Sequence, residues 1–291
     1  MMILDRLVAE DLEAFAVFAK HRNFTHAAGE LHVSQPALHA RVRKLEQTLG
    51  KQLYERQGRK LLLTATGDQL AAFANDSRAR AAAFLDELDV LPPRPLVLAA
   101  GSGAYLYVIG EVLRRYLARE PGLRLMTTDS DATVTAIRDG SADFGVTALT
   151  IPPDDLDCEP LAQYPQVLAV RPGHRLADRR TVRLKDLHGE ALVVPPKTRP
   201  HRQQLERSLL DAGVDWTVAV EAEGWNLLVH FVRLGVGPAV VNGFVRTPAA
   251  VRTIPVKDLP PIRYYLVTRR NRPADQRLDL LRELLQRHVL K

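Results

Sequence analysis

The sequence predicts a chain in two parts: an N-terminal all-α helix-turn-helix unit with a wing and a linker helix, then a larger α/β region of two lobes. Three observations predict it. Residues 23–56 hold two short amphipathic helical patterns almost back to back, the second one basic. Pro92-Pro93-Arg94-Pro95 is a stiff break, after which the texture changes. Beyond it strand and helix patterns alternate, and the alternation occurs twice.

The first helix begins near Ala9 and sets Leu12, Phe15, Ala16 and Ala19 on one face until Arg22-Asn23 ends it. Thr25 reads as the N-cap of the next helix, whose apolar face is Ala27, Ala28 and Leu31. Val33-Ser34 breaks that helix. Ser34 then caps another with Pro36 in its first turn, where a missing N–H costs nothing. This helix buries Ala37, Leu38, Val42, Leu45 and Leu49, carries Gln35, His39, Arg41, Arg43 and Lys44 on its other face, and stops at Gly50. Leu53 to Arg56 and Arg59 to Thr64 read as two short strands around a basic turn at Gln57-Gly58, a wing. From Gly67 to about Leu91 a longer helix places Leu70, Ala74, Ser77, Ala81, Phe84, Leu88 and Leu91 at spacings of three and four. That is a weak heptad seam, suited to dimerisation or to packing on its own chain.

Two short helices with a tight turn, the second basic, suit DNA. A helix fits the major groove, Gln and Arg pair with base edges, and Lys and Arg neutralise phosphates. The competing reading is an ordinary helical hairpin with a solvated charged face. The wing favours DNA, because it sets Arg56, Arg59 or Lys60 against the backbone or minor groove. The candidates for base or nearby backbone contacts are Gln35, Arg41 and Arg43, with Pro36 and His39 on the same helix; those for phosphate or groove are Ser34, Arg56 and Arg59.

After the proline break, strands are expected at 96–100, 123–127 and 143–147, then at 167–170, 191–194, 218–220, 239–241 and 262–267. The alternation predicts a parallel sheet flanked by helices. Two such lobes invite a ligand between them. Gly101-Ser102-Gly103 ends the first strand and opens a helix, so its N–H groups and the Ser102 hydroxyl suit an anion or carboxylate, or simply make a tight turn. A dinucleotide fingerprint is excluded, because its third glycine would fall on Leu106. No Walker A motif or G-x-S-x-G occurs, and the nine histidines do not cluster at metal spacing. No catalytic residue, metal or cofactor is predicted.

With 46% hydrophobic and 25% charged residues among 291, the chain reads as a globular protein with ample core. Its net charge of +6 is compatible with nucleic acid. Cys158 is the single cysteine, which excludes an intrachain disulfide and fits a reducing compartment. There is no positive segment ahead of an apolar core near Met1 and no long apolar run. A soluble, cytoplasmic protein is the expectation.

The order Leu12-Phe15-Phe18, Phe24, Ala27-Ala28, Leu31, Ser34-Gln35-Pro36, Leu45-Glu46, Leu49-Gly50, Leu53, Arg56, Leu63-Thr64, Gly67 resembles the N-terminal winged helix-turn-helix of the LysR-type transcriptional regulators. The match runs unbroken over the first quarter of the chain. It departs at His39-Ala40, where many members carry Ser-Arg. More loosely, Pro121-x-Leu123, Gly140-x-x-Asp143-x-Gly145 and Gly235-x-Gly237 resemble the skeleton of that family's C-terminal half, itself similar to periplasmic binding proteins. The resemblance implies a homodimer through the linker helix, assembly to a tetramer, an interrupted palindrome as the DNA site, and RNA polymerase as a partner. It also implies a small-molecule effector pocket lined by Ser102, Gly103, Ser130, Asp131, Thr147, Pro196, Lys197, Thr198 and Trp225. Lys197 and Arg199 there would favour an anionic effector, Asp131 a donor-rich one. The expected domains are 1–66, 67–91 and 92–291, with lobe I at about 95–158 and 265–291 and lobe II at about 159–264. A small-molecule binding protein with an N-terminal protein-interaction module is the main alternative; an enzyme ranks third for want of a motif.

Overall fold

The computed structural model describes residues 8–58, 60–87, 94–270 and 274–289. Its N-terminal unit is α1 (Ala9–His21), α2 (Phe24–Glu30), α3 (Gln35–Leu49), the hairpin β1 (Tyr54–Gln57) and β2 (Lys60–Leu63), and α4 (Ala65–Glu87). An aromatic core holds it together. Phe15, Phe18, Leu38, Val42, Leu45 and Leu53 are fully buried, and Phe18 stacks on Phe24 at 4.1 Å. The cap of α2 differs from expectation. Asn23, not Thr25, is the N-cap, its Oδ1 accepting from the N–H groups of Thr25 and His26 at 2.9 and 3.1 Å. Phe24, which precedes the expected cap, is the first residue of the helix and is buried in the core. Ser34 caps α3 as read, accepting from Ala37 N–H at 3.3 Å, and Gly50 closes it at φ 62°. Ala37, expected in the core, is exposed.

The linker helix α4 starts two residues earlier than expected, at Ala65. Thr64 Oγ1 accepts from Gly67 N–H and donates to the Gln52 carbonyl at 2.7 Å, locking the wing to the helix start. Leu70 and Ala74 of the expected seam are buried within the chain, whereas Phe84 is 59% exposed. Leu88 and Leu91, like Pro92-Pro93 and Arg59, lie outside the described residues.

Lobe I is a five-stranded sheet in the order β4-β3-β5-β12-β6, from β3 (Leu96–Ala100), β4 (Leu123–Thr127), β5 (Phe144–Ala148), β6 (Leu156–Tyr164) and β12 (Ile262–Arg269). β3, β4 and β5 run parallel, but β12 is antiparallel to both β5 and β6. The sheet is therefore mixed, not parallel as expected. α5 (Gly110–Leu117) and α9 (Gln276–Val289) pack on one face and α6 (Ser130–Arg138) on the other. Lobe II holds the antiparallel sheet β10-β7-β11 and the parallel pair β8-β9, made by β7 (Gln166–Val170), β8 (Ala191–Val194), β9 (Thr217–Glu221), β10 (Ala239–Asn242) and β11 (Arg252–Pro255), with α7 (Pro200–Asp211) and α8 (Trp225–Leu234).

The lobe boundaries move accordingly. β6 stays in lobe I as far as Tyr164, and β12 re-enters it at Ile262, so the crossovers lie at 165 and near 260 rather than at 158 and 264. The crossovers are tied together: Gln166, 1% exposed, donates from Nε2 to the Pro260 carbonyl at 2.8 Å. No helix among the described residues is long and apolar enough to cross a membrane.

Candidate functional site

α3 offers a charged outer face because its inner face is spent on the core. Gln35, His39 and Arg43, spaced by four, all lie exposed along the helix. Their neighbours shape them. Gln35 Oε1 accepts from Thr25 Oγ1 at 3.3 Å, and the His39 ring stacks on Phe24 at 3.8 Å. Pro36 is exposed in the first turn. Arg41 and Lys44 are turned aside toward α1, Arg41 to Glu10 at 3.4 Å and Lys44 to Asp11 at 2.7 Å. Arg56 on the wing donates from Nε to the Gly58 carbonyl at 3.0 Å, in the turn where Gly58 has φ 63°. The structure thus groups Gln35, His39 and Arg43, and sets Arg41 apart.

A cavity of about 590 Å³ opens between the lobes. Ser102, Gly103, Ser130, Thr147, Pro196 and Trp225, all singled out in the sequence, line it. Asp131, Lys197 and Thr198 do not; Asp131 is exposed in the first turn of α6, and Lys197 and Thr198 are exposed on the loop before α7. Sequence reasoning missed Asp129, Pro200, His201, Gln204, Glu223 and the strip from Pro260 to Tyr264. Prolines and Trp225, Leu228 and Ile262 give it apolar surface, and the short hydroxyls of strand ends give it polar points.

The Gly101-Ser102-Gly103 segment ends β3 and opens a helix, as read. It leads into a five-residue π-helical segment, Ala104–Val108. Gly103 lies close to the other lobe: a Cβ there would stand 3.0 Å from Trp225 Nε1 across the cleft, so the indole would have to give by a few tenths of an ångström. Two polar links also span the cleft. Arg199 of lobe II pairs with Asp129 of lobe I at 3.0 Å and with Glu223 of its own lobe. Tyr107 of lobe I donates to Asn226 Oδ1 at the start of α8.

Asp129 is doubly engaged, since its Oδ1 also caps α6 by accepting from Ala132 N–H at 2.8 Å. His201, at the start of α7, shares its Nε2 with the Val240 carbonyl at 3.0 Å, while Nδ1 is buried without a partner. That contact makes Nε2 the donor and Nδ1 the acceptor. Burial pulls the His201 pKa down to about 4, so the ring is neutral near pH 7. Cys158 sits on β6, outside the cavity wall, with its thiol pKa raised by burial and then by Asp155 and Asp157.

Two family models match the chain: "Bacterial regulatory helix-turn-helix protein, lysR family" over residues 9–68 and "LysR substrate binding domain" over residues 91–290. The chain belongs to the LysR family. It is a LysR-type transcriptional regulator, a DNA-binding helix-turn-helix joined to an effector-binding domain. It is 28% identical over 286 residues to the RuBisCO operon transcriptional regulator of Allochromatium vinosum, covering 94% of each chain. It is 27% identical to the DNA-binding transcriptional dual regulator OxyR of Escherichia coli (strain K12), covering 95% of this chain and 94% of that one. A full-length OxyR variant from Pseudomonas aeruginosa shares the fold with a TM-score of 0.73 at 21% identity, over 96% of this chain and 95% of that one. These LysR relatives are regulators, not enzymes. Among the described residues no group of three or more His, Cys, Asp or Glu side chains is placed to hold a metal.

In the LysR frame, one feature joins the two halves within a chain. Asn75 of α4 donates to the Asp139 carbonyl after α6, and Gly140, at φ 74°, leaves room for the Asn75 side chain.

Proposed function

We propose that this LysR-family chain acts in the cytoplasm as a homodimer, assembling further to a tetramer, on an interrupted palindromic operator. A two-fold dimer presents two copies of α3 and so calls for two half-sites. The half-open stripe of α4, with Phe73 and Phe84 more than half exposed, supports pairing through that helix. Gln35, His39 and Arg43 are the base-facing side chains; Ser34, Pro36 and Arg56, with Arg59, serve the backbone or groove; Arg41 contributes charge from the side of the helix. Contact with RNA polymerase belongs to the same reading.

The observation that carries the regulatory part is the cavity whose wall is drawn from both lobes and spanned by the Asp129–Arg199 pair. A ligand seated there touches both lobes, so its affinity depends on their angle. Unequal affinity for two angles is what lets a ligand shift the equilibrium between them. The joint at Asn75 then passes that angle to α4 and to the spacing of the DNA-binding pair. Some relatives are named for hydrogen-peroxide-inducible genes. The raised thiol of Cys158 and its place outside the cavity support a non-covalent ligand here instead.

Selection of bound duplexes from sheared genomic DNA, with affinity followed against salt, tests the reading. Enrichment of one interrupted palindrome with steep salt dependence is expected. Weak, sequence-blind binding in the presence and absence of cell-extract metabolites would sink it.

A further inference from the structure

Resting on the effector-cavity reading above, we infer that the cavity takes a zwitterion, a small ligand with both a carboxylate and an ammonium group, of which a neutral amino acid is the simplest kind. Among the described residues four side chains on its wall carry full charge: Asp129, Arg199, Glu223 and Arg263. His201 adds none near pH 7, since burial pulls its pKa down to about 4. The four do not pair off two by two. Arg199 stands between both carboxylates, Asp129 at 3.0 Å and Glu223, so one cation serves two anions. Asp129 spends its other oxygen on the start of α6. Glu223 meets Arg199 through Oε1 alone, and its Oε2 has no partner among the described residues. Arg263 is exposed on the wall, and no ion pair among the described residues answers its guanidinium.

One negative and one positive charge are therefore left unspent, and they belong to different lobes. Glu223 lies between β9 and α8 of lobe II, and Arg263 lies on β12 of lobe I. A simple anion answers Arg263 but meets the surplus negative charge around Arg199. A simple cation answers Glu223 but leaves Arg263 unmatched. A zwitterion meets both, its carboxylate on Arg263 and its ammonium on Glu223 Oε2, through charge-assisted hydrogen bonds. The rest of the wall suits its body, because Trp225, Leu228, Ile262 and prolines from both lobes offer apolar surface. About 590 Å³ accommodates an amino acid with a ring-sized side chain. With one end held by each lobe, the ligand's affinity depends on the angle between them.

The test uses the full chain, with affinities from ligand-observed NMR. The probes are two zwitterions of different charge separation, phenylalanine and 4-(aminomethyl)benzoate, each with its singly charged relatives. These are 3-phenylpropanoate and phenethylamine for the first, and 4-methylbenzoate and 4-methylbenzylamine for the second. At least one zwitterion is expected to bind the parent about tenfold more tightly than both of its relatives. In Arg263→Gln that advantage over the amine should vanish. In Glu223→Gln the advantage over the acid should vanish. Both side chains are exposed, so neither change threatens the fold. A singly charged probe binding the parent as tightly as its zwitterion, an advantage that survives these substitutions, or no zwitterion binding at all each overturns the inference. Operator selection on the same preparation separates the two readings. An enriched palindrome without zwitterion preference overturns only the ligand chemistry; zwitterion preference without any operator overturns only the regulator reading.

Discussion

His201 and Gln35 show how single side chains carry different risks. His201 has its pKa lowered from the ordinary 6.5 to about 4 by burial. Between those values the unfolded chain binds the proton and the folded chain does not, so stability rises with pH. The contribution is fully present above about pH 6.5 and is lost as pH falls toward 4. It is worth on the order of 3 kcal/mol over that window, at about 1.4 kcal/mol per pH unit. Thermal melts of the parent between pH 7 and pH 4.5 should therefore fall more steeply than those of His201→Gln; parallel curves would refute the assignment. Gln35 stands on the exposed face of α3 and acts on specificity. Gln35→Ala should relax choice at one base pair by roughly 1–3 kcal/mol, whereas Arg56→Ala, on the wing, should weaken all sequences alike and lower the salt slope by about one. Binding titrations on operator and scrambled DNA at several salt concentrations distinguish these outcomes.

At the scale of elements, caps and close approaches decide the boundaries. Asn23→Ala removes the acceptor for two N–H groups of α2 and should cost about 1 kcal/mol in urea unfolding of the N-terminal unit, with Thr25→Ala costing less. Gly67 is held tightly: a Cβ there would stand 1.9 Å from the Leu53 carbonyl oxygen. Backbone cannot swing aside as a side chain can, so Gly67→Ala should destabilise the wing by several kcal/mol, about the cost of a severe overpacking. An unaltered melt and intact DNA binding in that variant would contradict the geometry. The two strands that the sequence pattern did not reveal, β6 and β11, carry Pro160 and Pro255 and lie at sheet edges. Proline argues against a strand unless the position is an edge, and edge position is a property of the sheet, not of the segment. Opposite Pro160 the register slips between Tyr264 and Tyr265, which accommodates the missing N–H.

Among the described residues the buried apolar side chains form one cluster in the N-terminal unit and two in each lobe, and a helix and two crossovers join these parts. The N-terminal core is built on Phe15, Phe18, Phe24 and Leu45, apart from the cores of lobes I and II. Phe18→Ala should cost roughly 3–5 kcal/mol in that core alone. Calorimetry should show an early transition moved down and a later, effector-domain transition unmoved. A single merged transition shifted as a unit would mean that the joint between Asn75 and the Asp139-Gly140 turn couples the halves into one cooperative body. Because the cavity draws on both lobes, a ligand at 100 times its dissociation constant should instead raise the later transition, by about 2.7 kcal/mol of stability.

The sequence by itself determined the helix-turn-helix, its wing and the alternation of strands and helices, because these follow from periodicity and capping within a few residues. Ser34, Pro36 and Gly50 punctuate α3 wherever it sits, and Leu38, Val42 and Leu45 mark its inner face. Even the cavity was half legible, since Ser102, Ser130 and Thr147 end strands or open helices at the cleft side of lobe I. Only the tertiary structure decided the pocket's charge. Lys197, Arg199 and Asp131 look alike in sequence as loop charges, but whether each is paired, exposed or absent from the wall depends on partners far along the chain. Asp129 meets Arg199, and Gly103 meets Trp225, only after the two crossovers fold one lobe onto the other. Coulomb and steric energies depend on distance in space, and no local pattern encodes that distance.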